Sequence, residues 1–222
     1  MTHLFKQAFN RIFKPVGYCI AHDMEKVLGR KRKLDLIPDF VRQSSLELCA
    51  EEINSKKIEG SVAELGVYQG DFASQINKLF SDRKLYLFDT FSGFDSKDVS
   101  YDKLKKYSSD NQDFSQTSIE RVLEKMVRPN NCIIKQGYFP ETASDVDDRF
   151  AFVSIDADLY KPIYSGLNFF YPKLVEGGYI FVHDFNNKRY VGAKEAVMTF
   201  CKENKIGYFP LSDSCGTAVL VK

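Results

Sequence analysis

Two stretches of the chain hold acids and an imidazole at a spacing that suits chemistry on a hydroxyl group. Ser154-Ile155-Asp156-Ala157-Asp158-Leu159-Tyr160 closes one apolar run, and Val182-His183-Asp184-Phe185 closes another. If the two runs are neighbouring buried strands, Asp156, Asp158, His183 and Asp184 converge on one crevice. Clustered carboxylates repel one another and are commonly stabilised by a cation. An oxygen-rich set suits magnesium, which keeps some waters and can bind substrate hydroxyls. The competing use for such acids is capping of helix N-termini. Capping accounts for Asp158, which precedes a helical run, but hardly for four groups together.

A second constellation lies upstream. Glu64-Leu65-Gly66-Val67-Tyr68-Gln69-Gly70 is an ExGxxxG loop between a β-rich run and a helical one. Gly66 and Gly70 let backbone approach a ligand closely, and the helix start that follows offers unpaired N–H groups. Such a loop can also be a glycine turn chosen for packing. Asp89, with Thr90 beside it, ends the next β-rich run about 20 residues further on, where an acid accepts both hydrogens of a ribose diol. A dinucleotide would place its pyrophosphate over GxGxxG, but Tyr68 takes the place of the middle glycine and Glu64 would repel phosphate. A carboxylate here suits a cofactor with an ammonium and a sulfonium, so S-adenosylmethionine fits better than NAD. Tyr101 and Lys105 reproduce the Tyr-xxx-Lys spacing of short-chain dehydrogenases, but in a polar segment after the second strand, where we read the match as coincidence.

The elements that must position these groups follow from periodicity. Asp39 to Lys57 reads as a helix leading into a first strand at 62–67, and a helix starts at Phe72. Lys84 to Asp89 is a second strand, Ser118 to Met126 a helix, Cys132 to Lys135 a third strand. Phe150 to Ile155 and Tyr179 to Val182 read as fully buried parallel strands with a helix from Tyr164 to Leu174 between them. A helix over Ala193 to Glu203 precedes two closing strands, 207–211 and 217–221. The alternation predicts an α/β, doubly wound, mostly parallel sheet with an antiparallel C-terminal hairpin. The polar segment 92–116 exceeds an ordinary connection and sits on the ligand side of such a sheet, as a lid or as a solvated loop.

Composition narrows the class. The 222 residues fit one domain with an N-terminal extension, and the net charge of +1 offers no field for gripping nucleic acid. Five cysteines without a CxxC pair imply free thiols in a reducing cytoplasm rather than a disulfide framework or thiolate zinc site. No run is long and apolar enough to span a bilayer, and the N-terminus is unlike a signal peptide. Residues 1–33 hold eight basic residues against two acidic ones, a local charge of +6, which leaves −5 for the remainder. Leu4, Phe5, Ala8, Phe9, Ile12 and Phe13 make one apolar helical face there. Docking on its own domain or on a second subunit, as in a homodimer, is favoured over peripheral membrane contact.

Five blocks in order, AELGVYQGDFA, LYLFDTFSGF, QGYFPET, FVSIDADLYKPIYSGLNFFYPKLVEGGYIFVHDF and GAKEAVMTF, resemble the macrocin O-methyltransferase family over about two-thirds of the chain. The resemblance implies a Rossmann-like class I methyltransferase domain at 58–222 behind a helical extension at 1–57, with a lid between the second and third strands. It implies S-adenosylmethionine contacts at Glu64, Gly66, Val67, Tyr68, Gly70 and Asp156, ribose binding at Asp89 and Thr90, and an adenine edge at Gly137 and Tyr138. It also implies magnesium-assisted methylation of a sugar-like hydroxyl on a small molecule or glycan. The family usually carries two consecutive aspartates after the fifth strand, where this chain has His183-Asp184, a softer pair that brings the metal or its identity into question. The lysine base of catechol-type relatives is replaced by Leu159. On this reading Asp156, Asp184 and His183 hold the ion, and Asp158 or His183 takes the proton. The alternatives are metal-independent transfer with His183 as base and a non-catalytic cofactor-binding scaffold.

Overall fold

The computed structural model describes Ile12 and residues 39–108 and 113–222. The chain divides into two compact units, residues 1–35 and 36–222. The amphipathic helix expected at the N-terminus lies outside the described residues, apart from Ile12. Among the described residues no helix is long and apolar enough to cross a membrane, and Cys49, Cys132, Cys201 and Cys215 are free.

Helix α1 (Phe40–Ser55) starts at Asp39, whose side chain accepts a hydrogen bond from Arg42 N. Its buried stripe runs Arg42, Leu46, Ala50, Ile53, the i, i+4, i+8, i+11 spacing of one helical face. There follow β1 (Ser61–Leu65), α2 (Asp71–Leu79), β2 (Leu85–Asp89), α3 (Ser96–Lys105), α4 (Ile119–Glu124), β3 (Cys132–Gln136), β4 (Phe150–Ile155), α5 (Tyr160–Lys173), β5 (Leu174–Val182), α6 (Val191–Asn204), β6 (Phe209–Pro210) and β7 (Ala218–Val221). The helix assigned with the extension, α1, belongs to the second compact unit.

The seven strands lie in the order β3-β2-β1-β4-β5-β7-β6. The first five are parallel, β7 runs antiparallel to β5, and β6 antiparallel to β7. The order reverses between β1 and β4, so their carboxyl ends open the crevice where ligands bind in such sheets. Side chains alternate across β1 and β4. Ala63, Leu65, Val153 and Ile155 join the core beneath α5 and α6, while Glu64 and Ser154, paired in register, face the other side. Phe150, Phe170, Phe88 and Phe139 interlock at centroid separations of 5.1 to 5.9 Å in that core. On the opposite layer, Phe152 packs between Phe80 and Phe181.

Two elements differ from expectation. Strand β5 begins at Leu174, because Leu174 pairs with Phe150 and Gly177 N donates to Lys222 O despite the Glu-Gly-Gly sequence. The polar segment contains α3, a helix that buries acids instead of aliphatic residues.

Candidate active site

A cavity of about 570 Å³ opens at the switch point, lined by the β1–α2 loop, the ends of β2, β4 and β5, α1, and the segment after β2. It brings together Glu64, Gly66, Val67, Tyr68, Asp89, Thr90, Gly137, Tyr138, Asp156, Asp158, His183 and Asp184. Gly70 stands outside its lining, at the N-terminus of α2 with φ of 80°, packed against Val122. The backbone is bent at the chemistry: Tyr68, Asp158 and Asp184 have φ of 47°, 57° and 60°, conformations that non-glycine residues adopt at a cost repaid elsewhere.

Asp156 is held from both sides. Arg42 Nη1 donates to its Oδ2 at 3.0 Å, and His183 Nδ1 lies 3.0 Å from its Oδ1. The same Nδ1 is 3.3 Å from Asp184 Oδ2. Burial alone would raise the Asp156 carboxyl, but His183 and Arg42 outweigh it and hold the group below the usual carboxylate range. Burial works against a charged His183, yet the Asp156 charge, with hydrogen bonds to Asp156 and Asp184, lifts it to about 10. The imidazole is therefore protonated at neutral pH and committed to its two acids. Asp158 is moved the other way: burial, then the charges of Asp184 and Asp156, push it well above the ordinary value, and it shares a hydrogen bond with Asp184. Asp184 Oδ1 also accepts from Asn187 Nδ2 at 2.8 Å.

Glu64 is buried on β1. Burial first, then the Asp156 charge, raise its carboxyl well above the usual range. Ser154 Oγ donates to its Oε1 at 3.4 Å, and its Oε2 has no protein partner.

Asp89 corrects an expectation. Its Oδ2 accepts from Val67 N and Tyr68 N at 2.7 and 2.8 Å, and its Oδ1 from Phe91 N at 2.7 Å. The carboxylate thus ties the glycine loop to β2 and has room for one further hydroxyl, not two. Asp158 also departs from the capping role considered for it. The first turn of α5 is capped from outside, by Asp102 of α3, whose Oδ2 accepts from Tyr160 N at 3.3 Å.

From the described parts of the polar segment, Gly93, Phe94, Asp95, Asp98 and Phe114 line the cavity. Phe114 meets Tyr68 and Phe94 edge-on at 5.2 and 4.9 Å, and Thr117 Oγ1 donates to Tyr68 O. Helix α3 is fixed by Tyr138 Oη donating to Asp98 Oδ1 at 3.0 Å and by Tyr160 lying between Tyr101 and Tyr107. Asp102 is fully buried, which raises its carboxyl from 3.8 to about 6. A raised value in the docked state means that docking is fully favoured below the ordinary pKa and weakens as pH climbs through about 6. Amide hydrogen exchange across 96–105, corrected for intrinsic rates, is expected to show protection falling as pH rises from 4 to 7, approaching tenfold per unit at its steepest, about the limit for one proton. Asp102→Asn should flatten that dependence; an unchanged profile would count against it.

Arg42 is the site residue that sequence reasoning passed over. Its signal was its position: an arginine in line with Leu46, Ala50 and Ile53 on the buried stripe of α1.

Fold and site together define a class I methyltransferase architecture, with the glycine loop, the acid after β2 and the acids after β4 and β5 around one crevice. The O-methyltransferase NovP superposes with a TM-score of 0.66 at 20% identity, over 82% of this chain and 79% of that one. The calicheamicin methyltransferase CalS11 superposes with 0.62 at 18% identity, over 100% and 93%. The family model for macrocin O-methyltransferase (TylF) matches residues 39–220, and the chain belongs to that family. Demethyldecarbamoylnovobiocin O-methyltransferase of Streptomyces niveus is 27% identical over 161 residues, 65% of this chain; the chain spans about 60% of the length of that curated relative.

The family implies two groups, and the residues treat them differently. A cofactor with an ammonium fits the buried Glu64 with its orphaned Oε2 beside a loop where backbone can approach closely. Magnesium does not fit. Ligand atoms on one magnesium ion lie at about 2.1 Å and so no more than about 4.2 Å apart. The donor groups that converge among the described residues are His183 with Asp184 and Cys215, and Asp39 with His183 and Asp213. Asp156 is in neither, its oxygens already engaged by Arg42 and His183, and a thiol–imidazole set is too soft for magnesium. The expected ligand set Asp156, Asp184 and His183 is therefore corrected: the positive charge at Asp156 comes from side chains.

Proposed function

We propose that the protein is an S-adenosylmethionine-dependent O-methyltransferase acting on a hydroxyl of a sugar or sugar-containing molecule. The observation that carries the reading is the buried Glu64, with an unpartnered oxygen beside the glycine loop, in a cavity that Asp158 also lines. S-adenosylmethionine, when bound, supplies an electrophilic methyl group on a sulfonium. Glu64 would accept from its ammonium, Asp89 from one ribose hydroxyl, and Gly137 and Tyr138 would border its base. Methyl transfer needs an aligned acceptor oxygen that loses its proton, so positioning and a base supply most of the rate. Asp158, with its raised proton affinity, takes that proton. His183 keeps its own and orients Asp156 and Asp184. Phe94 and Phe114, which line the cavity, would help exclude water from the reacting groups, and α1 contributes to the site through Arg42.

A sugar acceptor is favoured over a catechol because Leu159 replaces the lysine base of catechol-type enzymes. One solved structure of similar fold is described as a TDP-rhamnose 3'-O-methyltransferase, which is in keeping with this reading. Incubation with methyl-labelled S-adenosylmethionine should transfer label to a nucleotide-activated deoxysugar and not to catechol. Label on catechol alone would refute the acceptor class.

A further inference from the structure

We propose that helix α1 supplies the cation of this site: the Arg42 guanidinium, in place of a divalent ion, compensates and orients Asp156. The proposal rests on the methyl-transfer reading above. Arg42 is 6% exposed and reaches across from α1 to the end of β4. Nη1 lies 3.0 Å from Asp156 Oδ2, and Nη2 donates to Ser154 Oγ at 3.3 Å, which in turn faces Glu64. The Phe72 ring of α2 supports the group from another side, with Cζ 3.8 Å from its centroid.

The helix that delivers it is fixed as well. Asp39, which caps α1, uses its Oδ2 to accept from Ser214 Oγ at 2.9 Å, anchoring the start of α1 to the loop before β7. Guanidinium does not deprotonate at accessible pH, so the charge is permanent. Asp156, Asp158, Asp184 and Glu64 line this cavity, and Arg42 and His183 are the basic side chains seen to contact Asp156 among the described residues. His183 Nδ1 lies 3.0 Å from Asp156 Oδ1 and 3.3 Å from Asp184 Oδ2, so the imidazole bridges the two acids while Arg42 holds the other oxygen of Asp156. Arg42 is a positioning residue, acting through Asp156 and the Ser154–Glu64 pair.

The test is a Mn²⁺ titration of the full-length protein, read by the electron paramagnetic resonance of free ion. Wild type should leave the free Mn²⁺ signal unreduced at equimolar protein, and Arg42→Lys, which keeps the charge, should behave the same. Arg42→Ala leaves the acids uncompensated and should bind Mn²⁺ roughly tenfold or more tighter than wild type, the scale of one lost charge contact. One Mn²⁺ per wild-type chain, lost in Asp156→Asn, would overturn the proposal, and that arm stands even if Arg42→Ala does not fold. Calorimetry with S-adenosylhomocysteine on the same samples separates the two readings. Stoichiometric Mn²⁺ with normal S-adenosylhomocysteine binding defeats this proposal alone, whereas absent S-adenosylhomocysteine binding defeats the methyl-transfer reading.

Discussion

Gly66→Ala is expected to lower affinity for S-adenosylhomocysteine by more than about a hundredfold and to destabilise the fold by roughly 2–6 kcal/mol, the sum expected of a strained φ and an overpacked contact. A Cβ on Gly66 would stand 2.0 Å from Asp156 O and 2.6 Å from Asp156 C, and the residue has φ of 85°. Neither clash can be relieved by a side-chain rotation, because both atoms are backbone. The strands are laced there by Gly66 N donating to Phe88 O at 2.9 Å and Asp156 N donating to Leu65 O at 2.7 Å. Accommodating a methyl group must push β1 from β4 at the switch point, carrying Glu64 and Asp156 with them. Denaturant unfolding and calorimetry measure the two effects. An alanine variant that binds the cofactor product normally would mean that the loop is not its cradle.

The second large effect belongs to Asp158. Asp158→Asn should reduce turnover by roughly 10²–10⁴-fold, the usual worth of a general base, while leaving S-adenosylhomocysteine affinity within about threefold. Its burial beside Asp184 and Asp156 raises its proton affinity, so wild-type turnover should climb with pH along a limb placed well above 3.8. The sign follows from the role: the base must be ionised, so activity is lost as pH falls through the raised value. That limb should vanish in the variant. His183, at about 10 with Nδ1 bound to acids on two sides, has no free basic nitrogen there at neutral pH. A metal-free enzyme that survives Asp158→Asn but is silenced by His183→Gln, with its acidic limb moved to the histidine, would reverse the assignment.

The sheet was legible because alternation of buried β-rich runs with helical ones leaves few topologies, and the site because acids at strand ends have few structural uses. What escaped the sequence has physical causes. Helix α3 has no aliphatic stripe: it docks through Asp98, Asp102 and Tyr101, so a polar run read as a loop. The first half of β5 is a strand because Leu174 pairs with Phe150 of β4 and Gly177 and Gly178 exchange hydrogen bonds with Lys222, against the turn preference of Glu176-Gly177-Gly178. Asp89 was rightly placed at the crevice, but spacing could not tell that backbone amides of the glycine loop would take three of its acceptor positions. Asp158 was weighed as a cap, and Asp102 proved to be the cap, because the N-terminus of α5 points at α3. Arg42 was missed since a charge in an apolar stripe acquires meaning only when the partner strand brings Asp156 beneath it.

The most direct test of the account is a crystal structure grown with S-adenosylhomocysteine and magnesium. The ligand should occupy the 570 Å³ cavity, with its amino group at Glu64 and its ribose at Asp89, while Asp156 remains paired with Arg42 and His183 and carries no metal. S-adenosylhomocysteine bound elsewhere, or absent from the cavity at saturating concentration, would contradict the account at its centre.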